Sequence, residues 1–226
     1  FLMIRRPPRS THCISSAASD VYKRQSPERF LQLRSGRLLT QPIKGTIGRG
    51  VDAEGDAQNA AQLQSSEKER AENVMIVDLS RNDLYRSCEV NSVEVPHLFE
   101  VQQFPQVLHL VSTITGEKRK DLHPIEAIKN AFPPGSMTGA PKLRSCELIA
   151  QYEQSARGIY AGSLGYFGPG GDFDFNVVIR SLVYDDESEK LSYHVGGAIT
   201  WDSDPDAEYQ ETLLKAEAIV AVMRKG

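Results

Sequence analysis

The stretch GIYAGSLGYFGPGGDFDFNVVIRSLVYDDESEKLSYHVGGAITW, residues 158–201, decides the fold class. It contains three consecutive strand candidates, GIYAGSLGYFGP, FDFNVVIRSLVYD and KLSYHVGGAITW, separated by Gly- and Asp-bearing turns. Upstream, PPGSMTGAPK reads as a loop leading into a helix from about Lys142 to Gln154, and downstream a final helix runs from Pro205 to Arg224. HPIEAIKNAF predicts a short amphipathic helix with Ala127, Ile128 and Ala131 as its apolar face. Strands are expected over 88–95 and 98–115. A long helix is expected from about Ser65 to Leu84, with acids in its first turn and Val74, Val77, Leu79 and Leu84 on its inner side. Residues 48–60, Gly-bearing and acidic, read as a surface loop. SPERFLQLRSGRLLTQPIKGT reads as a strand pair turned at Ser35-Gly36, followed by a Pro/Gly loop. The order is α+β: antiparallel sheets packed with helices.

The 226 residues suffice for one large or two modest domains. A net charge of −4 argues against a nucleic-acid binder, which needs a basic face. No apolar run approaches the roughly 20 residues that span a bilayer. Cys13, Cys88 and Cys146 are widely spaced with no CxxC pair, which favours free thiols in a reducing compartment over a disulfide framework. The expectation is a soluble, cytoplasmic protein with neither nucleic-acid nor membrane partner. Residues 1–25 carry five basic side chains against one acid, leaving an acidic body behind a basic head. That head could pass for an organellar transit peptide. It also resembles the translated sequencing-adaptor tract at the ends of assembled environmental sequences. It is expected to be non-native and disordered, leaving 26–226 as the functional domain.

Four constellations could carry chemistry. Glu69 and Glu72 lie three apart on the long helix, and Glu208 and Glu211 repeat that spacing on the last one. Such pairs are most often a solvated helix face. The functional alternative is that the helices meet and set Glu72 and Glu211 around a hard cation; Mg2+ fits, since it takes few carboxylates and keeps its waters. Lys44, in Pro42-Ile43-Lys44-Gly45-Thr46, is either a solvated charge or, desolvated beside a substrate, a nucleophilic amine. Gly135-Ser136-Met137-Thr138-Gly139-Ala140-Pro141-Lys142 departs from GxxxxGK[ST], so a tight loop at a helix N-terminus fits better than a nucleotide site. Arg180, inside the apolar FNVVIRSLV, needs an anionic partner, internal or substrate-borne. The Gly196-Gly197-Ala198 turn suggests a bulge or close ligand approach. His109 reads as a core histidine or an active-site group, and Tyr160 as a packing aromatic by default.

Taken in order, SPERF, PIKGT, KERAENVMIVDLSRND, VLHLVSTITG, FPPGSMTGAPK, IYAGSLGY, VVIRSL and GGAITWDSDPDAEYQET closely resemble the chorismate-binding domain. That family includes anthranilate synthase component I, aminodeoxychorismate synthase component I, isochorismate synthase and salicylate synthase. The resemblance runs from about Ser26 to Gly226 and implies a sandwich like that of anthranilate synthase component I, here lacking its N-terminal half. It implies that Glu72 and Glu211 ligate Mg2+ directly, with Glu69 and Glu208 supporting through water. Arg180, Tyr160, Gly45, Thr46, Gly196, Gly197 and Ala198 fall where the family holds the carboxylates of chorismate. His109 matches the histidine beside the reacting ring edge, and Glu28 the general acid for the departing hydroxyl.

Within the family, Ala in the PIxGT loop is typical of anthranilate synthases and Lys of aminodeoxychorismate synthases, in which the lysine is thought to attack ring C2. Lys44 therefore implies amination of chorismate at C4 toward 4-aminobenzoate and folate. The ammonia would come from a glutamine amidotransferase, as a subunit or fused domain. Anthranilate synthesis, or an inactive truncated remnant, are the alternatives. The expected location is cytoplasmic, with the plastid as the alternative for a photosynthetic parent organism.

Overall fold

The computed structural model describes residues 28–104, 107–185, 189–201 and 203–223. The basic head, residues 1–25, and Arg224 lie outside them. The described chain forms two compact units, the larger comprising Glu28–Ala156 with Ala161–Val177, the smaller Arg157–Tyr160 with the segment from Val178 onward.

The larger unit is built on a seven-stranded sheet. Strands β1 (Arg29–Arg34) and β2 (Arg37–Gln41) form the expected hairpin. Its two turn residues, Ser35 and Gly36, both have positive φ (50° and 81°), which suits a two-residue turn between right-twisted strands. PIKGT is not a loop: after Pro42 the chain continues as β3 (Ile43–Gly48) along the same edge of β5 (Val107–Glu117) that β2 occupies. Proline can sit at that joint because it interrupts the ladder only between two strands. Strand β4 (Glu94–Gln103) takes the other edge of β5; of the 88–95 expected as strand only Glu94 and Val95 join it, Cys88 adding a single bridge to Lys118, and the 98–115 expected as strand divides between β4 and β5. Beyond β1 lie β7 (Phe173–Val177) and the outermost strand β6 (Ser163–Phe167).

The expected loop at 48–60 is largely helix α1 (Ala53–Ser65), opened by Asp52, whose carboxylate accepts from the Gly55 N–H at 2.8 Å. Asp56, buried beside Arg49, further secures that end. Helix α2 (Glu67–Tyr85) is the long helix, begun by Ser66, whose hydroxyl accepts from Glu69 N–H. Its inner side is not the apolar stripe expected. Val74 is exposed, whereas Asn73, Ser80 and Asp83 are buried with Ile76, Val77 and Leu84. The polar groups face inward because partners await them: Asn73 donates to the Leu110 carbonyl and accepts from Ser112 Oγ at 2.6 Å. Leu108 and Leu110 of β5 pack with Leu63 of α1 as one core cluster. Helices α3 (Pro124–Ala131) and α4 (Lys142–Tyr152) follow, separated by a single 3-10 turn at Gly135–Met137.

In the smaller unit, β8 (Leu182–Asp185) and β9 (Lys190–Tyr193) pair as a separate two-stranded sheet, and α5 (Pro205–Met223) ends the described chain. FDFNVVIRSLVYD is thus two strands, not one. The break falls at Val178–Ser181, where Arg180 takes φ +53°. Such a backbone is strained for a residue with a Cβ and ends regular pairing.

Candidate active site

The fourteen candidate residues divide evenly between the units, and each half is coherent by itself. In the larger unit the organising feature is a bulge in β3. Ile43 pairs with Val111 and Thr46 with His109, so three steps on β3 span two on β5. The extra residue frees Lys44 from the ladder, and its Nζ lies 3.4 Å from Glu72 Oε2 of α2, both side chains only 15% exposed. Gly45, at φ +85°, makes this possible. A Cβ there would stand 2.9 Å from Leu63 Cδ1 and 3.1 Å from Glu69 Oε2. Glu69 and Glu72 therefore turn toward the PIKGT segment, not toward solvent.

Thr46 Oγ1 and His109 Nδ1 are 2.8 Å apart, and Phe104 stands edge-on to the imidazole with centroids 5.1 Å apart. His109 is buried but alternates to the side of β5 opposite Leu108 and Leu110, so it belongs with Thr46 and not with the apolar core.

Glu28 precedes β1 and is buried. Burial pushes its carboxyl up to about 7, against weaker opposing pulls from Ser136 and from the Lys44 ammonium. The pull of Ser136 acts without meeting hydrogen-bond geometry, since its buried Oγ has no hydrogen-bond partner among the described residues. A carboxyl poised near neutrality can hold a proton and release it, which is what a general acid requires.

The smaller unit gathers Tyr160, Arg180, the Gly196–Ala198 turn, Glu208 and Glu211. Burial pushes the Arg180 guanidinium below its ordinary value, while Tyr160 and Glu211 pull it back up. Tyr160 stacks on His194 at 5.5 Å, and a Cβ on Gly196 would lie 3.1 Å from the Tyr160 hydroxyl. Glu208 is buried and accepts from Ser203 Oγ at 2.8 Å. Its Oε2 lies 3.0 Å from where a Gly197 Cβ would be. Glu211 pairs with Lys215 at 2.5 Å, and the same ammonium donates to the Gly196 carbonyl at 3.2 Å. Arg180 is thus a guanidinium on a strained turn, not a strand residue, and it feels the charge of Tyr160 and Glu211.

Each unit repeats one device: a glycine backbone, Gly45 or Gly197, lies against the first glutamate of an i, i+3 pair, where a side chain would fill the space. Among the described residues no three His, Cys, Asp or Glu side chains form a ready-made metal cluster. Sequence reasoning missed Lys215, Ser203, Ser136 and the Asp83–Lys142 pair. Of these, Lys215 carried a local signal four residues after Glu211, and Ser136 and Lys142 lay in the Gly-rich stretch already singled out, though without these partners. Among the described residues no helix is long and apolar enough to cross a membrane.

The family model described as chorismate binding enzyme matches residues 8–221. The chain is 52% identical over 201 residues to the probable aminodeoxychorismate synthase, chloroplastic, of Oryza sativa subsp. japonica, covering 88% of this chain and 22% of that one. It is 48% identical over 195 residues to aminodeoxychorismate synthase component 1 of Klebsiella aerogenes, covering 86% and 43%. The solved anthranilate synthase component I from Streptococcus pneumoniae TIGR4 superposes with a TM-score of 0.71 at 38% identity, over 85% of this chain and 42% of that one. The chain spans less than half the length of each of these relatives. The matched span includes every candidate residue in both units, and the chain belongs to the chorismate binding enzyme family.

Proposed function

We propose that this chain carries the catalytic part of an aminodeoxychorismate synthase, a transferase that aminates chorismate at C4 to give 4-amino-4-deoxychorismate for 4-aminobenzoate and folate. The observation that carries the reading is Lys44 lifted out of the β3 ladder and held beside Glu72. Relatives of that name at 48–52% identity support it over the anthranilate alternative.

In this reading Arg180 and Tyr160, with the Gly45-Thr46 and Gly196–Ala198 backbones, hold the substrate's two carboxylates. Glu28 donates its proton to the C4 hydroxyl, which departs as water. The neutral Lys44 amine attacks C2 as the C4–O bond breaks, and both ring double bonds move one position, to C6–C1 and C4–C5. Ammonia then adds at C4 and the lysine leaves from C2, returning both ring double bonds to their original positions and freeing the amine. His109, fixed by Thr46, stands along the ring edge. Lys44 attacks as the neutral amine, so its ammonium proton must leave before that step.

The donor set fits a hard cation: it is all carboxylate, and the glycines leave Glu69 and Glu208 uncrowded. Glu72 and Glu211 would hold Mg2+, with Glu69 and Glu208 supporting through water. When bound, the cation supplies positive charge to the ring carboxylate. The ammonia would come from a glutamine amidotransferase, as a partner or fused domain. The location would be cytoplasmic, or plastid as the rice relative's name has it for that protein.

Incubation with chorismate, Mg2+ and an ammonium salt, followed by chromatography, tests the reading. Aminodeoxychorismate should form without pyruvate, and Lys44→Ala should lower its formation at least about a hundredfold. Pyruvate release with anthranilate fluorescence would replace this reading with anthranilate synthesis.

A further inference from the structure

A feature behind Glu28 is not used by the chemistry above. A cavity of about 20 Å³ in the larger unit has Glu28, Thr40, Ser80, Asp83 and Ser136 among its lining residues. That is room for roughly one water molecule. The lining is rich in oxygen donors and acceptors, and the buried Ser136 Oγ makes no hydrogen bond among the described residues. A buried hydroxyl without a partner is costly, whereas a water with two to four polar partners relieves it.

The segment carrying Ser136 is tied in place. Lys142 Nζ donates to Asp83 Oδ2 at 2.6 Å and to the carbonyls of Ala131 and Pro133 at 2.8 Å each. Both charged side chains are nearly buried. Lys142 therefore straps the two ends of the FPPGSMTGAPK segment to α2. Lys142 is one of the residues by which the Gly-rich loop departs from GxxxxGK[ST], and its ammonium is committed to three oxygens.

We propose that Ser136 is a positioning residue for Glu28, linked to the Glu28 carboxyl through one water held in this cavity, with the Lys142 strap fixing the geometry. Lys44 from β3 acts on Glu28 electrostatically; of the charged residues lining the cavity, Arg29 from β1 is paired with Asp174 and Asp83 from α2 with Lys142. Through the water the serine donates to the ionised carboxyl and steadies that form. The catalytic use of Glu28 rests on the reading above; the hydrogen-bonded link does not.

The full 226-residue chain, labelled with carboxyl-13C glutamate, reports the titration of Glu28 directly, with Glu28→Gln identifying the resonance. Ser136→Ala should move the midpoint up by about half to one pH unit, the size of one lost hydrogen bond. Ser136→Thr should restore it. A crystal structure should show an ordered water within about 3.2 Å of both oxygens. An unmoved midpoint in Ser136→Ala, or a dry cavity, overturns the proposal. Should Ser136→Ala fail to fold, Ser136→Cys, close in size and a weak donor, should shift the midpoint the same way. Since titration needs no turnover, absent amination with a shifted midpoint counts against the proposed function alone. Amination with an unmoved midpoint counts against Ser136 alone.

Discussion

Replacing Glu28 with Gln should make the larger unit more stable at alkaline pH and leave it little changed at acid pH. The carboxyl rises from 4.5 to about 7 on folding because burial penalises its charge. Below the unfolded value both states are protonated and no penalty exists. Between the two values the folded state holds a proton that the unfolded state has released, so stability falls as pH rises. Above about 7 both states are ionised and the full penalty persists. At about 1.4 kcal/mol per pH unit this amounts to about 3 kcal/mol, an upper figure because buried charges are partly relaxed by their surroundings. The neutral amide escapes it, so Glu28→Gln should gain about 2–3 kcal/mol relative to wild type between pH 4.5 and pH 8. The single tryptophan, Trp201, belongs to the smaller unit and does not report this change. Hydrogen exchange of peptides from β1 and β7, read by mass spectrometry at both pH values, does. An equal stability difference at pH 4.5 and pH 8 would refute the buried-acid account.

Gly45→Ala should cost about 1–3 kcal/mol in thermal unfolding, because the new Cβ meets Leu63 and Glu69 in a backbone at φ +85°. Lys142→Met should cost about 3 kcal/mol in urea unfolding, since it leaves the buried Asp83 carboxylate and two carbonyls without their donor. Burial already raises the Asp83 carboxyl, so that loss should deepen as pH rises toward neutrality. Arg180→Gly should raise the stability of the smaller unit by about 1 kcal/mol by relieving a positive-φ backbone. Hydrogen exchange of peptides from β8, β9 and α5 can follow it, and calorimetry should show chorismate affinity falling about tenfold or more.

The antiparallel α+β architecture was legible because its hairpins and caps are local: Ser35-Gly36 between alternating strands, and Ser66 ahead of acids in a first turn. The inner side of α2 was not. Apolar periodicity finds Val74 and Leu79, but Asn73 and Asp83 are drawn inward by Ser112, the Leu110 carbonyl and Lys142, all distant in sequence. Helix α1 was misread because Gly55 and its acids suggest a loop, although Asp52 was a usable capping signal. The break at Arg180 leaves no trace in an unbroken apolar run. Residue patterns singled out every candidate but Glu28, resemblance supplied Glu28 and the roles, and local contacts such as Lys215 on Glu211 and Ser203 on Glu208 came from the coordinates.

The bulge in β3 also bears on how this enzyme family can diversify. Lys44 owes its aim to one surplus residue between two paired positions, Ile43 and Thr46. Exchanging lysine for alanine there alters reactivity and preserves the count, so the backbone path survives. Deleting or inserting one residue would turn the following side chains to the opposite face and take Thr46 away from His109. Natural variants of this segment should therefore differ in letters while keeping its length.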